Sequence, residues 1–339
     1  MIGIDLYKIP YHEGNLSDFK FLITGGAGFI GSNLVEYLLK YNAGHVRVLD
    51  NLSNGFFENI KSFIGLPNFE FIEGDIRDFE TCKLALDGIH YVSHQAALGS
   101  VPRSINNPIL TNEVNISGFL NVLTVAKDQS TVKRLVYAAS SSTYGDSRIL
   151  PKTENVIGKP LSPYAVTKLV NEIYADVFSK VYGFHTIGLR YFNVFGPNQS
   201  PDNPYAAVIP LFIKAAVEGK SPVIFGDGET SRDFTFVENV VQANIKSLLK
   251  NDSINEPIIL NIACGRRTSL NDLWKVIARL SDVDGIIPDY LPERRGDIRD
   301  SLADITKAVQ YLNYDPSFDV EKGLSILIRS QNLTVKNID

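Results

Sequence analysis

The sequence has few of the residues that stabilise secreted or metal-dependent proteins. Its 339 residues include only two cysteines, Cys82 and Cys264, which are far apart and in no metal-ligand spacing. This scarcity excludes a disulfide framework and indicates a reducing compartment. The sequence has no run of roughly 18 apolar residues, the length that a membrane-spanning helix needs. Because the amino terminus also lacks the apolar core of a signal peptide, we expect a cytoplasmic protein without a metal site.

An excess of positive charge is also absent. The formal net charge is −5 and the isoelectric point is near 5.6. Such a chain has no basic field to attract nucleic acid or an anionic membrane, so neither is an expected partner. An anionic small molecule would have to be held by a few well-placed arginines and backbone amides.

The first half of the chain alternates short apolar runs with helical patterns. Candidate helices lie near 29–42, 78–87, 108–128 and 163–182. The candidate strands, rich in Val, Ile, Leu and Phe, lie at 19–24, 45–49, 69–73, 89–93, 133–138 and 184–190. Continuous apolar strands separated by helices are typical of a parallel sheet that is buried on both faces. The pattern predicts an α/β fold with a Rossmann-type, doubly wound parallel sheet.

The pattern changes after residue 192, where turn-forming clusters interrupt the chain. Short strands are expected near 222–225 and 258–262, and helices near 206–218, 237–250, 270–280 and 318–330. We expect residues 1–192 to form the cofactor domain, with residues 1–18 as an extension. Residues 193–339 should form a smaller α/β substrate lobe, from which part of the chain returns to the sheet.

A glycine-rich turn follows the first candidate strand and opens a helix. Glycines 25, 28 and 31 let the backbone turn tightly and approach a pyrophosphate at the positive end of that helix. A bare glycine pattern also fits an ordinary strand-to-helix turn. Asp50 favours the functional interpretation, because it ends the second candidate strand, where an acid can bind the adenosine ribose. A carboxylate there repels a 2′-phosphate, so the expected cofactor is NAD.

A serine-rich segment and a tyrosine–lysine pair provide the candidate chemistry. Ser140 follows the fifth candidate strand, at the sheet edge where ligands bind in this fold. Tyr164 and Lys168 are four residues apart and should share one face of a helix that Ser162 caps. A phenol normally ionises near pH 10, and neighbouring positive charge would lower that pKa. His94 has no partner acid, and we interpret it as a structural histidine.

These motifs, in this order, resemble the extended short-chain dehydrogenase/reductase family, and specifically the UDP-hexose 4-epimerases. Within that family the chain looks most like the bacterial UDP-N-acetylglucosamine 4-epimerases of surface-polysaccharide pathways. The resemblance runs from Phe19 to about residue 325. It rests on the segments 94–104, 138–146, 161–168, 189–196, 228–234 and 294–297.

The resemblance implies a mechanism. Tyr164, helped by Ser140, would take the proton of the sugar 4-hydroxyl while a hydride passes from C4 to NAD. Lys168 would hold the nicotinamide ribose and depress the tyrosine pKa. The 4-keto sugar would then rotate about its diphosphate link and receive the hydride on its other face, so that no net redox change occurs.

The same resemblance assigns binding residues. The expected cofactor contacts are Gly25, Gly28, Phe29, Ile30, Gly31, Asp50, Asn51, Asp75, Ile76, Gln95, Ala96, Ala97, Tyr164 and Lys168. The expected substrate contacts are Gly99, Ser100, Arg103, Ser140, Ser141, Ser142, Tyr164, Asn193, Gln199, Ala207, Val208, Ile224, Phe225, Arg232, Arg294, Asp297 and Ser301. Among these, Arg232 and Arg294 would grip the diphosphate through bidentate hydrogen bonds.

Three positions bear on the choice of sugar. Ser301 matches a position that is bulky in epimerases restricted to glucose and galactose, and a small residue leaves room for a 2-acetamido group. Gly99 and Gln199 also match the pattern of the N-acetyl-preferring relatives. The resemblance therefore implies UDP-GlcNAc and UDP-GalNAc as substrates.

Several alternatives stay open. The corresponding UDP-uronic acids are possible substrates, since Arg103 could lie near a carboxylate. The resemblance implies that a 4,6-dehydratase or a uronate decarboxylase would carry acidic residues after the fifth strand, and residues 141–144 include none. A non-catalytic NAD-binding protein would typically lack Tyr164 or Lys168. The family also implies a homodimer, in which helices 108–128 and 163–182 of two subunits form a four-helix bundle.

Overall fold

The computed structural model describes residues 6–200, 207–250, 255–293 and 299–330. The strands are β1 (Lys20–Thr24), β2 (His45–Asp50), β3 (Phe69–Glu73), β4 (Tyr91–His94), β5 (Arg134–Ser140), β6 (Thr186–Tyr191), β7 (Val194–Phe195), β8 (Val223–Phe225), β9 (Ser231–Arg232), β10 (Thr235–Phe236), β11 (Ile258–Ile262), β12 (Thr268–Ser269) and β13 (Asp289–Leu291).

Helices connect most of these strands. The α-helices are α1 (Phe29–Lys40), α2 (Phe79–Leu86), α3 (Val101–Asn106), α4 (Pro108–Asn112), α5 (Phe119–Asp128), α6 (Pro163–Tyr182), α7 (Val208–Val217), α8 (Val237–Leu248), α9 (Leu270–Leu280), α10 (Thr306–Leu312) and α11 (Val320–Ser330). Residues Glu113–Gly118 form a π-helical segment, and 3₁₀ turns cover Phe57–Asn59, Lys61–Phe63 and Ser141–Tyr144. Among the described residues, no helix has the length and apolarity required to cross a membrane.

A seven-stranded sheet forms the centre of the protein. Its strand order is β11-β6-β5-β4-β1-β2-β3, and every neighbouring pair is parallel. Thr24 pairs with both Leu49 and His94, and Ser140 pairs with Tyr191. The carboxyl ends of these strands therefore lie along one edge of the sheet. The predicted doubly wound parallel fold is confirmed.

The strands of the sheet lie close to their predicted positions, and β11 shows that the chain does return to it. The predicted helix at 108–128 differs, because it divides into α4, the π-helical segment and α5. The wider π turn places Asn115 in the interior, where it holds both backbone groups of Leu98 and donates to Thr167 Oγ1. A helical pattern in the sequence does not distinguish this turn from an α-helix.

Helix α6 is fixed at both ends and along its length. The Ser162 hydroxyl accepts a hydrogen bond from the Ala165 amide at 3.1 Å, and Gly183 ends the helix in the left-handed conformation. Arg190 of β6 donates to both carboxylate oxygens of Glu172, at 2.9 and 2.7 Å, in a buried ion pair. Because a bidentate pair has a defined geometry, it fixes the register of α6 on the sheet.

The chain after residue 192 is organised around a buried carboxylate. Asp233 is fully buried and accepts hydrogen bonds from the amides of Cys264, Gly265 and Ala303 at 2.9 to 3.2 Å. Burial raises the pKa of Asp233 to about 6, and the backbone hydrogen bonds oppose the shift. Asp233 thus joins three separate segments beside β9 and β10. The domain division at residue 192 stays a prediction. β11 follows that residue in the chain and nevertheless belongs to the central sheet.

Candidate active site

A cleft of about 480 Å³ lies at the carboxyl edge of the central sheet. The structure brings most of the predicted site residues to its wall: Gly25, Gly28, Phe29, Ile30, Gly31, Asp50, Asn51, Asp75, Ile76, Gln95, Ala96, Ala97, Gly99, Ser100, Ser140, Ser141, Tyr164, Lys168, Asn193 and Gln199. A second cavity, of about 1160 Å³, lies at the opposite edge, near the starts of β1 and β4. None of the predicted site residues that the structure describes lines it, so the smaller cleft is the candidate site.

The glycine turn provides a cradle at the start of α1. Gly25 has φ of 69°, and a Cβ there would lie 2.6 Å from the Ala96 nitrogen. A Cβ on Gly31 would lie 2.1 Å from the carbonyl oxygen of Gly25, closer than any real contact. The close backbone approach leaves the amino end of α1 open to the cleft. Such an end attracts the phosphates of a dinucleotide.

Asp50 lies at the end of β2, directly beside this cradle. Its carboxylate accepts hydrogen bonds from the amides of Ala27 at 3.0 Å and Leu52 at 2.9 Å, and only 8% of the residue is exposed. Burial raises its pKa, while the amide hydrogen bonds from Leu52 and the glycine turn lower it. The carboxylate is therefore held rigidly, as a contact that selects a ribose diol over a phosphate requires.

Asp75 lies next to Asn51 on the same wall. The Asn51 side chain donates to Asp75 at 2.9 Å, and Arg77 forms an ion pair with Asp75 at 2.7 Å. The hydrogen bond from Arg77 is the largest cause of a lowered Asp75 pKa. Asp75 is thus an ionised, oriented acceptor at the mouth of the cleft.

The tyrosine, lysine and serine meet where β5 and α6 face each other. Lys168 is 3% exposed, and its ammonium group donates to the Ala138 carbonyl at 2.7 Å. Its Nζ lies 6.0 Å from the centroid of the Tyr164 ring. Ser140, the last residue of β5, accepts from the Ser142 amide at 3.1 Å. Its hydroxyl also forms a hydrogen bond with the Tyr164 side chain.

The protonation of this group is governed by burial. Burial raises the pKa of Tyr164, and a hydrogen bond with Ser140 opposes that shift. Burial also lowers the pKa of Lys168 to about 8, with Glu172 acting in the opposite direction. The resemblance implies that Lys168 depresses the tyrosine pKa. In the protein alone, desolvation outweighs any such effect, so the phenol holds its proton at neutral pH.

His94 is a structural residue, as expected. It is buried, and its Nδ1 shares a hydrogen bond of 2.8 Å with the Thr24 hydroxyl. Burial, together with the charge of Lys168, lowers its pKa to about 3. A neutral imidazole with this partner joins β1 to β4 beneath the cleft. Among the described residues, no group of three or more potential metal ligands is present.

Two polar residues from the chain after β6, Asn193 and Gln199, line the cleft. The Asn193 side chain donates to the Asp233 carbonyl at 3.0 Å, and Asn193 has φ of 36°. The Gln199 side chain donates to the Val194 carbonyl at 3.2 Å, while its Oε1 is buried without a partner. An unpaired buried acceptor in a cleft is a natural contact for a ligand donor.

Other predicted substrate contacts do not line the cleft. Arg103 donates to the Asn54 side chain at 2.9 Å, and Arg232 donates to the Ser231 and Arg299 carbonyls. Ile224 is fully buried and is not part of the cleft wall. Ser142, Ala207, Val208, Phe225 and Ser301 are also absent from the lining. Arg294 and Asp297 lie outside the described residues. The roles of all these residues stay predictions.

Sequence reasoning missed several residues of the wall, of which Ser53, Asn54 and Tyr191 carry polar side chains. Tyr191 ends β6, and its hydroxyl donates to Gln95 at 3.2 Å and accepts from Asn244 at 2.8 Å. Its position at a strand end was a usable signal, since it belongs to the segment 189–196. Asn54 lies in a turn after Asp50, where the sequence gives no comparable indication.

The fold and the site together define an enzyme that uses a dinucleotide with a tyrosine–lysine pair. Residues 21–263 match the NAD dependent epimerase/dehydratase family. The chain belongs to this family, within the extended short-chain dehydrogenases/reductases, and its cofactor is NAD. The glycine cradle and the rigid Asp50 fit that cofactor.

Similar proteins cover nearly the whole chain. A "putative UDP-glucose 4-epimerase" of Methanocaldococcus jannaschii is 36% identical over 91% of this chain and 96% of its own. The structure of a UDP-N-acetylglucosamine 4-epimerase from Methanobrevibacter ruminantium M1, in complex with UDP-N-acetylmuramic acid, is 38% identical, with a TM-score of 0.86 over 92% of this chain and 99% of that one. A UDP-glucuronic acid 4-epimerase from Bacillus cereus, with UDP-glucuronic acid and NAD, is 30% identical, with a TM-score of 0.84 over 92% and 98%.

The Lys168 pKa predicts a pH dependence. Below pH 8 the ammonium form dominates, and above that pH the charge is progressively lost. We therefore expect kcat/KM to fall as the pH rises above about 8. In Lys168→Arg, whose guanidinium stays charged, the remaining activity should not show this decline. Initial rates between pH 6 and 10 provide the measurement, and an identical alkaline limb in both proteins would assign the decline to another group.

Proposed function

We propose that this enzyme inverts C4 of UDP-linked N-acetylated hexoses, interconverting UDP-GlcNAc and UDP-GalNAc. The observation that carries the proposal is the convergence of Tyr164, Lys168 and Ser140 in the cleft that contains the glycine cradle. The family supports the NAD-dependent chemistry, and the 4-epimerases among the similar proteins support a UDP-sugar.

The chain's own residues divide the work of binding. The glycine cradle and the start of α1 would hold the diphosphate of NAD, and Asp50 its adenosine ribose. Asp75 and Asn51 lie on the wall where they could contact the adenine end of NAD. Lys168, fixed by the Ala138 carbonyl, has ammonium protons for the nicotinamide ribose. When bound, NAD supplies a hydride acceptor and donor for the sugar C4.

Proton transfer is the task of Tyr164 and Ser140. The Tyr164 oxygen takes the proton of the sugar 4-hydroxyl and later returns it. Because burial raises the pKa of Tyr164 in the protein alone, the phenolate needs nearby positive charge, and Lys168 retains that charge below pH 8. Ser140 stabilises the phenolate by donating its hydroxyl proton. The dry surroundings strengthen both interactions.

Replacement of the phenol tests this assignment. Tyr164→Phe keeps the ring but removes the proton acceptor, so we expect kcat to fall by about 100- to 10,000-fold. NAD and UDP-sugar binding should be largely retained. Proton NMR of UDP-GlcNAc equilibration measures the rate. Tyr174→Phe, on the same helix but outside the cleft, is the matched control, and unchanged turnover in Tyr164→Phe would remove Tyr164 from the mechanism.

The preference for an N-acetylated sugar rests on space and on polar groups in the substrate half of the cleft. A Cβ on Gly99 would meet nothing within 4 Å, so this wall leaves open room. Gln199 Oε1 offers an unpaired acceptor to an amide donor such as the acetamido N–H. Ser301 lies outside the cleft lining and is bonded through its backbone to the Ser231 carbonyl at 3.1 Å, and its small side chain leaves space next to Arg232 for the sugar substituent.

A bulky residue at 301 should discriminate between sugars. We expect Ser301→Tyr to lower kcat/KM for UDP-GlcNAc by about tenfold or more, because the acetamido group loses its space. UDP-glucose, which lacks that group, serves as the internal control and should be nearly unaffected. The two rates are measured by NMR on one preparation. An equal loss on both sugars contradicts the steric explanation.

The UDP-uronic acids remain the second candidate substrates. Epimerases of UDP-glucuronic acid are among the similar proteins. Arg103, whose guanidinium bonds Asn54 on the cleft wall, is the cation that a sugar carboxylate would need. The same NMR assay, run with uronic and neutral UDP-sugars, separates the two possibilities.

We further propose a homodimer in which α6 and the segment 108–128, which contains α4 and α5, of two subunits form a four-helix bundle. Val166, Ile173 and Val177 lie on one face of α6 and are exposed, and Ile109 on α4 is 72% exposed. This apolar face lies away from Tyr164 and Lys168. Apolar side chains grouped on neighbouring helices are typical of an interface.

A charge on this face tests the assembly. Ile173→Glu would bury an unpaired carboxylate in the interface, so we expect it to shift a dimer to a monomer. Sedimentation velocity measures the state. Leu84→Glu, at an exposed position on α2, is the control and should leave the state unchanged. A wild-type protein that sediments only as a monomer would contradict the dimer.

A further inference from the structure

In the segment before β1, Tyr7 is bonded to the rest of the protein through its amide, its carbonyl and its hydroxyl. Tyr7 is fully buried. Its backbone has φ of 58°, a left-handed conformation that residues other than glycine seldom adopt. Its amide donates to Glu238 Oε1 at 3.0 Å, and its carbonyl accepts from the Tyr41 hydroxyl at 2.7 Å. A strained backbone that is held at both polar groups indicates a constraint beyond ordinary packing. The matched family region begins only at residue 21.

The Tyr7 side chain ends on a buried amide of α1. Its hydroxyl donates to Asn33 Oδ1 at 2.8 Å. The Asn33 amide nitrogen donates to the carbonyls of Phe29 at 2.9 Å and Pro197 at 3.1 Å. Only the amide nitrogen can donate to two carbonyls, so the oxygen must face Tyr7. The phenol hydroxyl is therefore the donor that satisfies this oxygen and holds the oriented Asn33 side chain in place.

Asn33 in turn connects the two halves of the cleft. Phe29 begins α1 and lines the cofactor wall, and Pro197 precedes the segment that carries Gln199. A hydrogen bond from the Asn198 side-chain amide to the Ser32 hydroxyl, at 2.9 Å, lies beside the bond from Asn33 to the Pro197 carbonyl. Because Asn33 is fully buried, water cannot readily replace a lost partner.

We propose that Tyr7 is a positioning residue of the active site, which acts through Asn33 to hold the start of α1 against residues 197–199. For its effect on the UDP-sugar, this proposal rests on the proposed function. For its effect on NAD, it rests on the family alone. The extension before β1 thereby contributes to ligand affinity without touching either ligand.

The test is Tyr7→Phe, which keeps the ring and removes only the hydroxyl. We expect the dissociation constant of NAD, measured by calorimetry on cofactor-stripped protein, to rise about three- to tenfold, since a buried acceptor loses its donor. The KM for the UDP-sugar should rise while kcat stays within about twofold. The NAD measurement needs no turnover, so it stands even if the proposed substrate is wrong.

Tyr11→Phe is the matched control. Tyr11 belongs to the same segment before β1. Its hydroxyl donates to Glu238 Oε1 at 2.7 Å and does not bond Asn33. Thermal unfolding of both variants measures how much stability each one loses, so that a change in NAD affinity can be compared at similar stability. An unchanged NAD affinity in Tyr7→Phe, or an equal loss of affinity in Tyr11→Phe at similar stability, would overturn the proposal.

Discussion

The parallel direction of all seven central strands is the constraint on which the site depends. Because the strands run the same way, Asp50, Ser140 and Tyr191 reach one edge of the sheet from β2, β5 and β6. The connections must then cross as helices, and α1 and α6 bring the glycine cradle and the Tyr164–Lys168 pair to that edge. The direction of the strands therefore determines where the cleft lies, and the side chains at that edge determine its chemistry.

The sheet could be predicted from the sequence because its strands are long, apolar and separated by helices. After residue 192, β8 and β11 lie at the predicted positions, but the two-residue strands were not predicted. Val194–Phe195 pairs with Thr235–Phe236, and Ser231–Arg232 with Thr268–Ser269. Each of these strands has two residues, too few for a period, and its existence depends on a distant partner. The π-helical turn around Asn115 was missed for a related reason, since its apolar pattern fits an α-helix equally well.

The candidate site was predictable where a motif places several residues together, as in the glycine turn and the helix from Ser162. It was less predictable where the property depends on surroundings. The sequence indicated a tyrosine with a lowered pKa, whereas burial raises it in the protein alone, and no local pattern reports how much water reaches a phenol. Likewise, Tyr7 and Asn33 are 26 positions apart, and only the fold shows that one holds the other in place.

The place of β11 has a consequence for how the protein is made. Strand β6 is buried along its whole length, and β11 covers its outer edge. On the ribosome, residues 258–262 emerge long after β6, so an apolar strand with free hydrogen-bonding groups must wait for its neighbour. Nascent chains of this kind are exposed to edge-to-edge association during that interval. The sheet that binds the nucleotide is thus completed only after residues 258–262 have been synthesised.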